Sequence, residues 1–291
     1  MRIAIHGRTF RPEAASFIRA LFDMLIQKKA HIQVSHTFFT FLQESNIGIA
    51  DCHVYSTYQD LQEADFFFSI GGDGTLLESV TYIRHKKITI LGINTGRLGF
   101  LAIISPDHIQ EAIHAIYNRF YELDERTLLH LDSDRPLFEG ANFALNEFTI
   151  VKRDTSSMIT VHAYINGEYL NSYWADGLII ATPTGSTGYS LSCGGPLVLP
   201  NSNNFIISPV SPHNLNVRPI VVPDTSVLSF DIEGRSKNFL ISLDSRSQTV
   251  DHTVQLALRK EDFKVRLVKL NGYSFFDTLR HKLHWGLDNR N

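Results

Sequence analysis

One aspartate stands inside a glycine turn. Residues 66–75 read FFFSIGGDGT, with Asp73 between Gly72 and Gly74. Glycines there let the backbone bend sharply and approach a ligand closely. A turn leading from a strand into a helix presents N–H groups and a helix N-terminus to phosphate. A carboxylate at its centre repels phosphate. It suits a metal, a sugar hydroxyl, or removal of a proton from a hydroxyl. An Asp-Gly pair is also an ordinary turn or cap. A second stretch with chemical potential is DGLIIATPTGSTGYSLSCGGPLV, residues 176–198. Its hydroxyls and glycines offer many small donors to a ligand with several oxygens, and Tyr189 offers a flat face for a base. A flexible linker of similar composition fits poorly, because Pro183 and Tyr189 stiffen the loop and apolar segments flank it. The third candidate is Asn146 and Glu147 within the apolar run ANFALNEFTIV. Asn146 could bond bidentately to an adenine edge and Glu147 could accept from ribose hydroxyls, or the pair could cap a nearby turn. Arg8 and Arg97 sit just past strand ends, where a cation could meet phosphate, and each also reads as a solvated surface arginine.

These residues need elements to position them. The apolar run 66–70 reads as a buried strand, and Leu76, Leu77, Val80 and Ile83 recur at helical spacing after the turn. Strands are expected at 3–5, 32–34 and 88–93, with helices at 14–28, 37–44, 76–84 and 106–117. This alternation predicts a parallel sheet with ligands at the strands' carboxyl ends. No GxGxxG fingerprint follows the first strand. From Glu122 onward the texture changes to short alternating segments: 127–131, 144–151, 158–165, 177–181, 220–222, 227–232, 239–243 and 263–270. Between them stand turn pairs such as Asn166-Gly167, Pro223-Asp224 and Glu233-Gly234. The expectation is an α/β N-terminal domain over 1–103 and an all-β C-terminal domain over 104–272, with a ligand in the cleft between them.

The composition limits the alternatives. The chain has 291 residues, of which 43% are hydrophobic and 20% charged, an ordinary globular composition. A net charge of −3 gives no electrostatic reason to expect nucleic acid as a partner. Cys52 and Cys193 form no CxxC pair and suggest neither a disulfide framework nor structural zinc. The N-terminal MRIAIHGRTF lacks a signal-peptide pattern, and no apolar run reaches membrane-spanning length, so a cytoplasmic location is expected.

Taken in order, GGDGT at 71–75, GINTGRLGFLA at 92–102, LNE at 145–147, DGLIIATPTGSTGYSLSCGGP at 176–196 and FFDTLRHKLHWG at 275–286 resemble the NAD kinases of bacterial type. GGDGT alone also occurs in lipid kinases and phosphofructokinases; the ordered set is far more specific. The resemblance implies transfer of a phosphoryl group from ATP to the 2′-hydroxyl of the adenosine ribose of NAD, giving NADP. It implies that Asp73, with Gly74 beside it, takes the hydroxyl proton. Asn146 and Glu147 match the dinucleotide-binding pair, and Asp176 an acidic residue that meets the ribose–nicotinamide portion. Thr184, Thr187, Gly188, Tyr189, Ser190, Leu191 and Ser192 match the loop that wraps the adenosine half. A divalent metal, usually magnesium, is carried by the nucleotide phosphates. The assembly implied is a homodimer or homotetramer joined through the β domain, and the tail, 273–291, folds back on the first domain.

There are departures from the pattern. Many relatives carry alanine where Gly188 stands, relatives often show Asp-Gly-Gln or Asp-Ser-Gln at 244–246 where this chain has Asp-Ser-Arg, and Trp174 stands where some carry a basic residue. They bear on contacts near the nicotinamide end and on any preference between NAD and NADH. Two rivals are a GGDGT lipid or sugar kinase and a non-catalytic dinucleotide sensor. The loop at 182–192 argues against the first, and an intact Asp73 against the second.

Overall fold

A computed structural model describes residues 1–49, 51–96, 98–153 and 157–286. Arg97 and the last five residues of the tail therefore lie outside the described residues. The chain divides into two compact units, one formed by 1–125 with 265–291 and the other by 126–264.

The first unit alternates strand and helix. Its elements are β1 (Arg2–Gly7), α1 (Ala15–Gln27), β2 (His31–Ser35), α2 (His36–Glu44), β3 (His53–Tyr55), β4 (Phe66–Gly71), α3 (Asp73–Ile83), β5 (Thr89–Asn94), α4 (Ile109–Asn118) and β6 (Tyr121–Arg126). The strands β1, β4 and β5 are almost entirely buried, as expected for parallel strands covered on both faces. That is why 66–70 reads as a continuous apolar run and not as an alternation. Strand order is β3-β2-β1-β4-β5, continued by a strand from the far end of the chain and closed by β6. The winding direction reverses between β1 and β4, and ligands of such sheets gather outside the carboxyl ends at that point. Gly7 and Arg8 leave β1 there, and the glycine turn leaves β4 there, with Arg8 N donating to Ile70 O at 3.3 Å.

The second unit is a sandwich of two antiparallel sheets. Its strands are β7 (Leu129–Ser133), β8 (Phe143–Ala144), β9 (Glu147–Lys152), β10 (Ile159–Ile165), β11 (Glu168–Ala175), β12 (Gly177–Ala181), β13 (Asn204–Val210), β14 (Ile220–Pro223), β15 (Leu228–Glu233), β16 (Asn238–Leu243), β17 (Arg246–Asp251) and β18 (Leu256–Lys260), with a single-turn helix α5 (Tyr189–Ser192). One sheet runs β11-β10-β15-β18-β7-β8 and the other β14-β13-β12-β9-β16-β17. Their inner faces share one core, which includes Leu131, Phe148, Val161, Ile180, Phe205 and Phe230. Asn166 and Gly167, at φ 52° and 83°, form the tight turn between β10 and β11, as an Asn-Gly pair between alternating runs predicts. β12 is buried at every residue for a specific reason. Leu178 and Ile180 face the sandwich core, while Ile179 and Ala181 face a smaller one closed by Cys193 and Val198.

Several expectations are corrected. The segment 263–270 is not part of the β sandwich: β19 (Val265–Leu270) pairs in parallel with β5. With α4, β6 and the last helix, α6 (Phe275–Leu283), it belongs to the first unit, so the division at 103/104 and 272/273 does not coincide with the compact units. The run 144–151 is not one strand. It breaks at Leu145 and Asn146, where the Asp244 carboxylate takes the backbone N–H groups. The helix expected at 76–84 starts at Asp73.

Candidate active site

The carboxylate of Asp73 opens α3, where the positive end of the helix dipole favours it. The loop after β5 folds back over it. Asn94 N donates to Ile104 O at 2.7 Å and Ile104 N to Gly92 O at 3.1 Å, closing the loop at its base. Phe100 N then donates to Asp73 Oδ2 at 2.8 Å, and Leu101 N and Ala102 N to Oδ1 at 2.9 and 3.0 Å. Gly99 makes this approach possible: a Cβ there would lie 1.9 Å from Asp73 Oδ1. Residues 99–102 belong to the GRLGFLA stretch, whose link to Asp73 no local pattern in the sequence reveals. Gly74 follows as the second residue of α3.

Arg8 Nε donates to Glu78 Oε2 at 2.7 Å, and the same oxygen lies 3.3 Å from Nε2 of buried His6. His6, then Arg8, hold the Glu78 carboxyl well below its ordinary range, at about 2, against the opposing effect of burial.

In the second unit Asn146 and Glu147 sit at the start of β9, pressed against the loop that leaves β12. Thr182 Oγ1 donates to Leu145 O at 2.6 Å, Thr182 N to Asn146 O at 2.9 Å, and Gly185 N to Thr182 Oγ1 at 3.1 Å. From the other side Asp244 accepts from Leu145 N, Asn146 N and Glu147 N at 2.9, 2.7 and 3.2 Å. Arg246 donates to the carbonyls of Ala141 and Phe143. Asp244 and Arg246 thus clamp the backbone of 141–147, a role the sequence does not disclose. So fixed, the pair presents two buried acceptors, Asn146 Oδ1 and Glu147 Oε2, with no hydrogen-bond partner among the described residues. Burial and then the neighbouring Asp244 carboxylate push Glu147 up to about 8, opposed by the N–H of Tyr189. Burial likewise raises Asp244.

The remaining candidates fall along one short path. Thr184 is buried, and its hydroxyl accepts from Arg126 Nη1 at 3.2 Å. Thr187 Oγ1 turns back to Thr184 O at 3.3 Å. Gly188 passes close to Asn146 and Glu147: a Cβ there would lie 2.9 Å from Glu147 Oε2. Tyr189 begins α5 with its ring 42% exposed. Ser190 is buried with its hydroxyl 2.9 Å from Ser208 Oγ, so that side chain faces the small core. Leu191 is half-buried and Ser192 exposed. Asp176 joins β11 to β12 and pairs with Lys152 Nζ at 2.6 Å. Trp174 packs against His213 in a tilted arrangement, with ring centroids 4.2 Å apart. Asp73, Gly74 and Arg8 therefore belong to the first unit, and Asn146, Glu147, Asp176 and the residues from Thr184 to Ser192 to the second.

The architecture is of a definite class, an α/β unit joined in one chain to a β-sandwich unit, each carrying one of these two constellations. The family model of the ATP-NAD kinase N-terminal domain matches residues 4–121, and that of the C-terminal domain residues 145–270. An NAD kinase of Cytophaga hutchinsonii is 52% identical over the whole of both chains, and one of Bacteroides fragilis 45% identical, again over the whole of both. The fold matches a yeast NADH kinase complexed with NADH at a TM-score of 0.89 and 20% identity, covering 99% of this chain and 88% of that one. It also matches an Archaeoglobus fulgidus NAD kinase in complex with ATP at 0.77 and 24%, covering 98% and 99%. The chain belongs to the NAD kinase family.

Proposed function

We infer that this chain transfers the γ-phosphoryl group of ATP to the 2′-hydroxyl of the adenosine ribose of NAD, and that Asp73 takes the hydroxyl proton. The observation that carries the second part is the way Asp73 is held. Three backbone N–H groups fix one short carboxylate at a helix start beside the glycine turn. Phosphoryl transfer asks the protein for positioning and charge stabilisation more than for covalent chemistry. A fixed carboxylate orients the attacking hydroxyl, and the turn's N–H groups face the phosphates. The adenosine half is read by Asn146, Glu147 and the loop from Thr184 to Ser192, with Tyr189 offering its ring to the base. The solved yeast and Archaeoglobus neighbours hold NADH and ATP respectively, the two ligand classes this reading requires.

Among the described residues no group of three or more His, Cys, Asp or Glu side chains is placed to hold a metal ion. On this reading a divalent cation would enter on the nucleotide phosphates and neutralise their charge there. No described helix is long and apolar enough to cross a membrane. We place the homo-oligomer contact in the second unit, whose edge strand β14 leaves Ile220 and Val221 exposed.

The test is Asp73→Asn. The amide oxygen can serve Leu101 and Ala102, but the amide nitrogen then faces Phe100 N–H, so one bond is lost at a cost of about 1–3 kcal/mol. Turnover of NAD to NADP should fall by roughly 10²–10⁴, with NAD affinity by calorimetry nearly unchanged. Near wild-type NADP formation by the purified variant would end the assignment of Asp73 as proton acceptor. Wild-type protein that binds NAD but makes no NADP with ATP and magnesium would leave only a sensor.

A further inference from the structure

The lone pairs of Asp73 are nearly all committed. A carboxylate oxygen offers two acceptor sites. Leu101 N and Ala102 N occupy both sites of Oδ1, and Phe100 N occupies one of Oδ2. Among the described residues no backbone N–H takes the remaining site of Oδ2, which leaves it for the proton of a substrate hydroxyl. That site has a neighbour: Lys282 Nζ lies 3.6 Å from Oδ2, beyond direct hydrogen-bond contact. Lys282 comes from α6. The helix is seated by buried Leu279, and Ser274 caps it, its side chain accepting from Phe276 N at 3.2 Å. The Lys282 ammonium lies over the ring of Phe100, the residue whose N–H holds Oδ2, with Nζ 4.7 Å from the ring centroid. Phe275 packs near the same ring, at 6.2 Å between centroids. The tail thus brings a cation to the Asp73 oxygen left with an open position among the described residues.

We propose that Lys282 is a catalytic cation of the phosphoryl transfer, delivered by the C-terminal helix and shared between the open lone pair of Asp73 and the phosphoryl group in flight. The proposal rests on the reading of Asp73 given above. As the 2′-hydroxyl takes the open site on Oδ2, the ammonium is displaced toward the atom that hydroxyl attacks. The hydroxyl proton passes to Oδ2 and the O2′–Pγ bond forms. The bond from Pγ to the bridging β,γ oxygen breaks, and ADP leaves with that electron pair. Lys282 keeps its proton throughout and neutralises charge on the equatorial phosphoryl oxygens. A compact ammonium on a flexible stem suits such movement.

The experiment compares Lys282→Gln, Lys282→Arg and Arg280→Gln in the full chain, with NAD, ATP and magnesium. Arg280 is on the same helix, paired within it to Asp277, and controls for loss of one positive charge from α6. Lys282→Gln should lower kcat by about 10²-fold or more, the scale for removing one preorganised charge-stabilising group. NAD affinity and Tm should be unchanged, Lys282→Arg should recover most of the loss, and Arg280→Gln should match wild type. Wild-type kcat in Lys282→Gln overturns the proposal. So does a loss that tracks a lowered Tm and is not recovered by arginine, which would mark a helix-docking role. Asp73→Asn separates the two readings. If it is inactive while Lys282→Gln is fully active, only the lysine's role fails. If it is active, the shared-oxygen geometry fails with the proton acceptor.

Discussion

Gly99→Ala tests whether the position of the Asp73 carboxylate, and not just its presence, sets the rate. An alanine Cβ at 99 would lie 1.9 Å from Oδ1, 2.6 Å from Cγ and 2.9 Å from Oδ2 of Asp73. Ordinary non-bonded contact begins near 3.5 Å, so the two groups must separate by roughly 1.5 Å. Asp73 is a short side chain and cannot swing clear without leaving its donors. Either the carboxylate rotates off the N–H groups of 100–102, now at 2.8–3.0 Å, or the loop lifts with them. A misplacement near 1 Å costs about 10²-fold in rate, and that is the expected fall in kcat for NADP formation. Hydrogen bonds to an ionised group are worth about 1.5–3 kcal/mol each, and partial exposure reduces this, so stability should fall by about 1–3 kcal/mol in total. Gly96→Ala is the control in the same loop, since a Cβ there meets nothing within 4 Å. The assay is steady-state turnover beside a thermal melt. A Gly99→Ala enzyme with lowered Tm but wild-type kcat would refute the link between carboxylate placement and catalysis; wild-type values of both would refute the geometry itself.

Tyr189→Ala should weaken NAD binding by about 1–3 kcal/mol, on the scale of base–aromatic stacking, and unchanged affinity by titration calorimetry would show that the exposed ring does not hold the base. Glu147 should make stability fall as pH rises: between the ordinary carboxyl value and about 8 the folded protein keeps a proton that the unfolded chain has lost. Glu147→Gln removes that titration, so its Tm should exceed wild type by progressively more from pH 5 to pH 8, and a pH-independent difference would refute the shift. Sedimentation at micromolar concentration should show a homo-oligomer, and a variant with charges at Ile220 and Val221 of β14 should shift toward monomer; a wild-type monomer would count against the second unit as the contact.

The sequence is most legible where local pattern and tertiary role coincide. The run 66–70, the glycines and the apolar spacing after them read directly as β4, turn and α3, because a strand buried on both faces is apolar throughout. The Asn166-Gly167 turn is legible for a similar reason, since its positive φ angles demand those residue types. Polar strands are not legible: β6, YELDER, and β11, EYLNSYWA, lie at sheet edges and are only partly buried, so they lack apolar alternation. The destination of β19 is hidden too. Its VRLVKL pattern fits either kind of sheet, and only long-range pairing with β5 decides. The candidate site divides in the same way. Asp73, Asn146 and Glu147 stand out by residue type in unusual company. The peptide N–H groups that hold Asp73, the Asp244 carboxylate that breaks the strand at Asn146, and Lys282 some two hundred residues after Asp73 act through contacts that no sequence spacing encodes.

The acceptors at 146 and 147 show how the second unit is prepared for a ligand. A buried polar atom without a partner costs about 1–3 kcal/mol, and here two stand side by side, Asn146 Oδ1 and Glu147 Oε2. Asp244 creates this arrangement. By taking the N–H groups of 145–147 it ends the strand ladder and turns the two side chains toward the loop of 182–188. The same carboxylate, together with burial, favours a proton on Glu147. A protonated Glu147 is cheaper to bury than an ion, and it can donate as well as accept. A ligand that brings both donors and acceptors, as a ribose hydroxyl does, satisfies such a pair better than a ligand that brings only anionic oxygens. The neighbouring Asp244 carboxylate, which also drives a proton onto Glu147, disfavours an anionic ligand at this position. On the proposed function, these are the acceptors with which the second unit would hold the nucleoside portion of the dinucleotide. In the first unit the N–H groups at the start of α3 and Lys282 supply the positive counterparts that phosphates need.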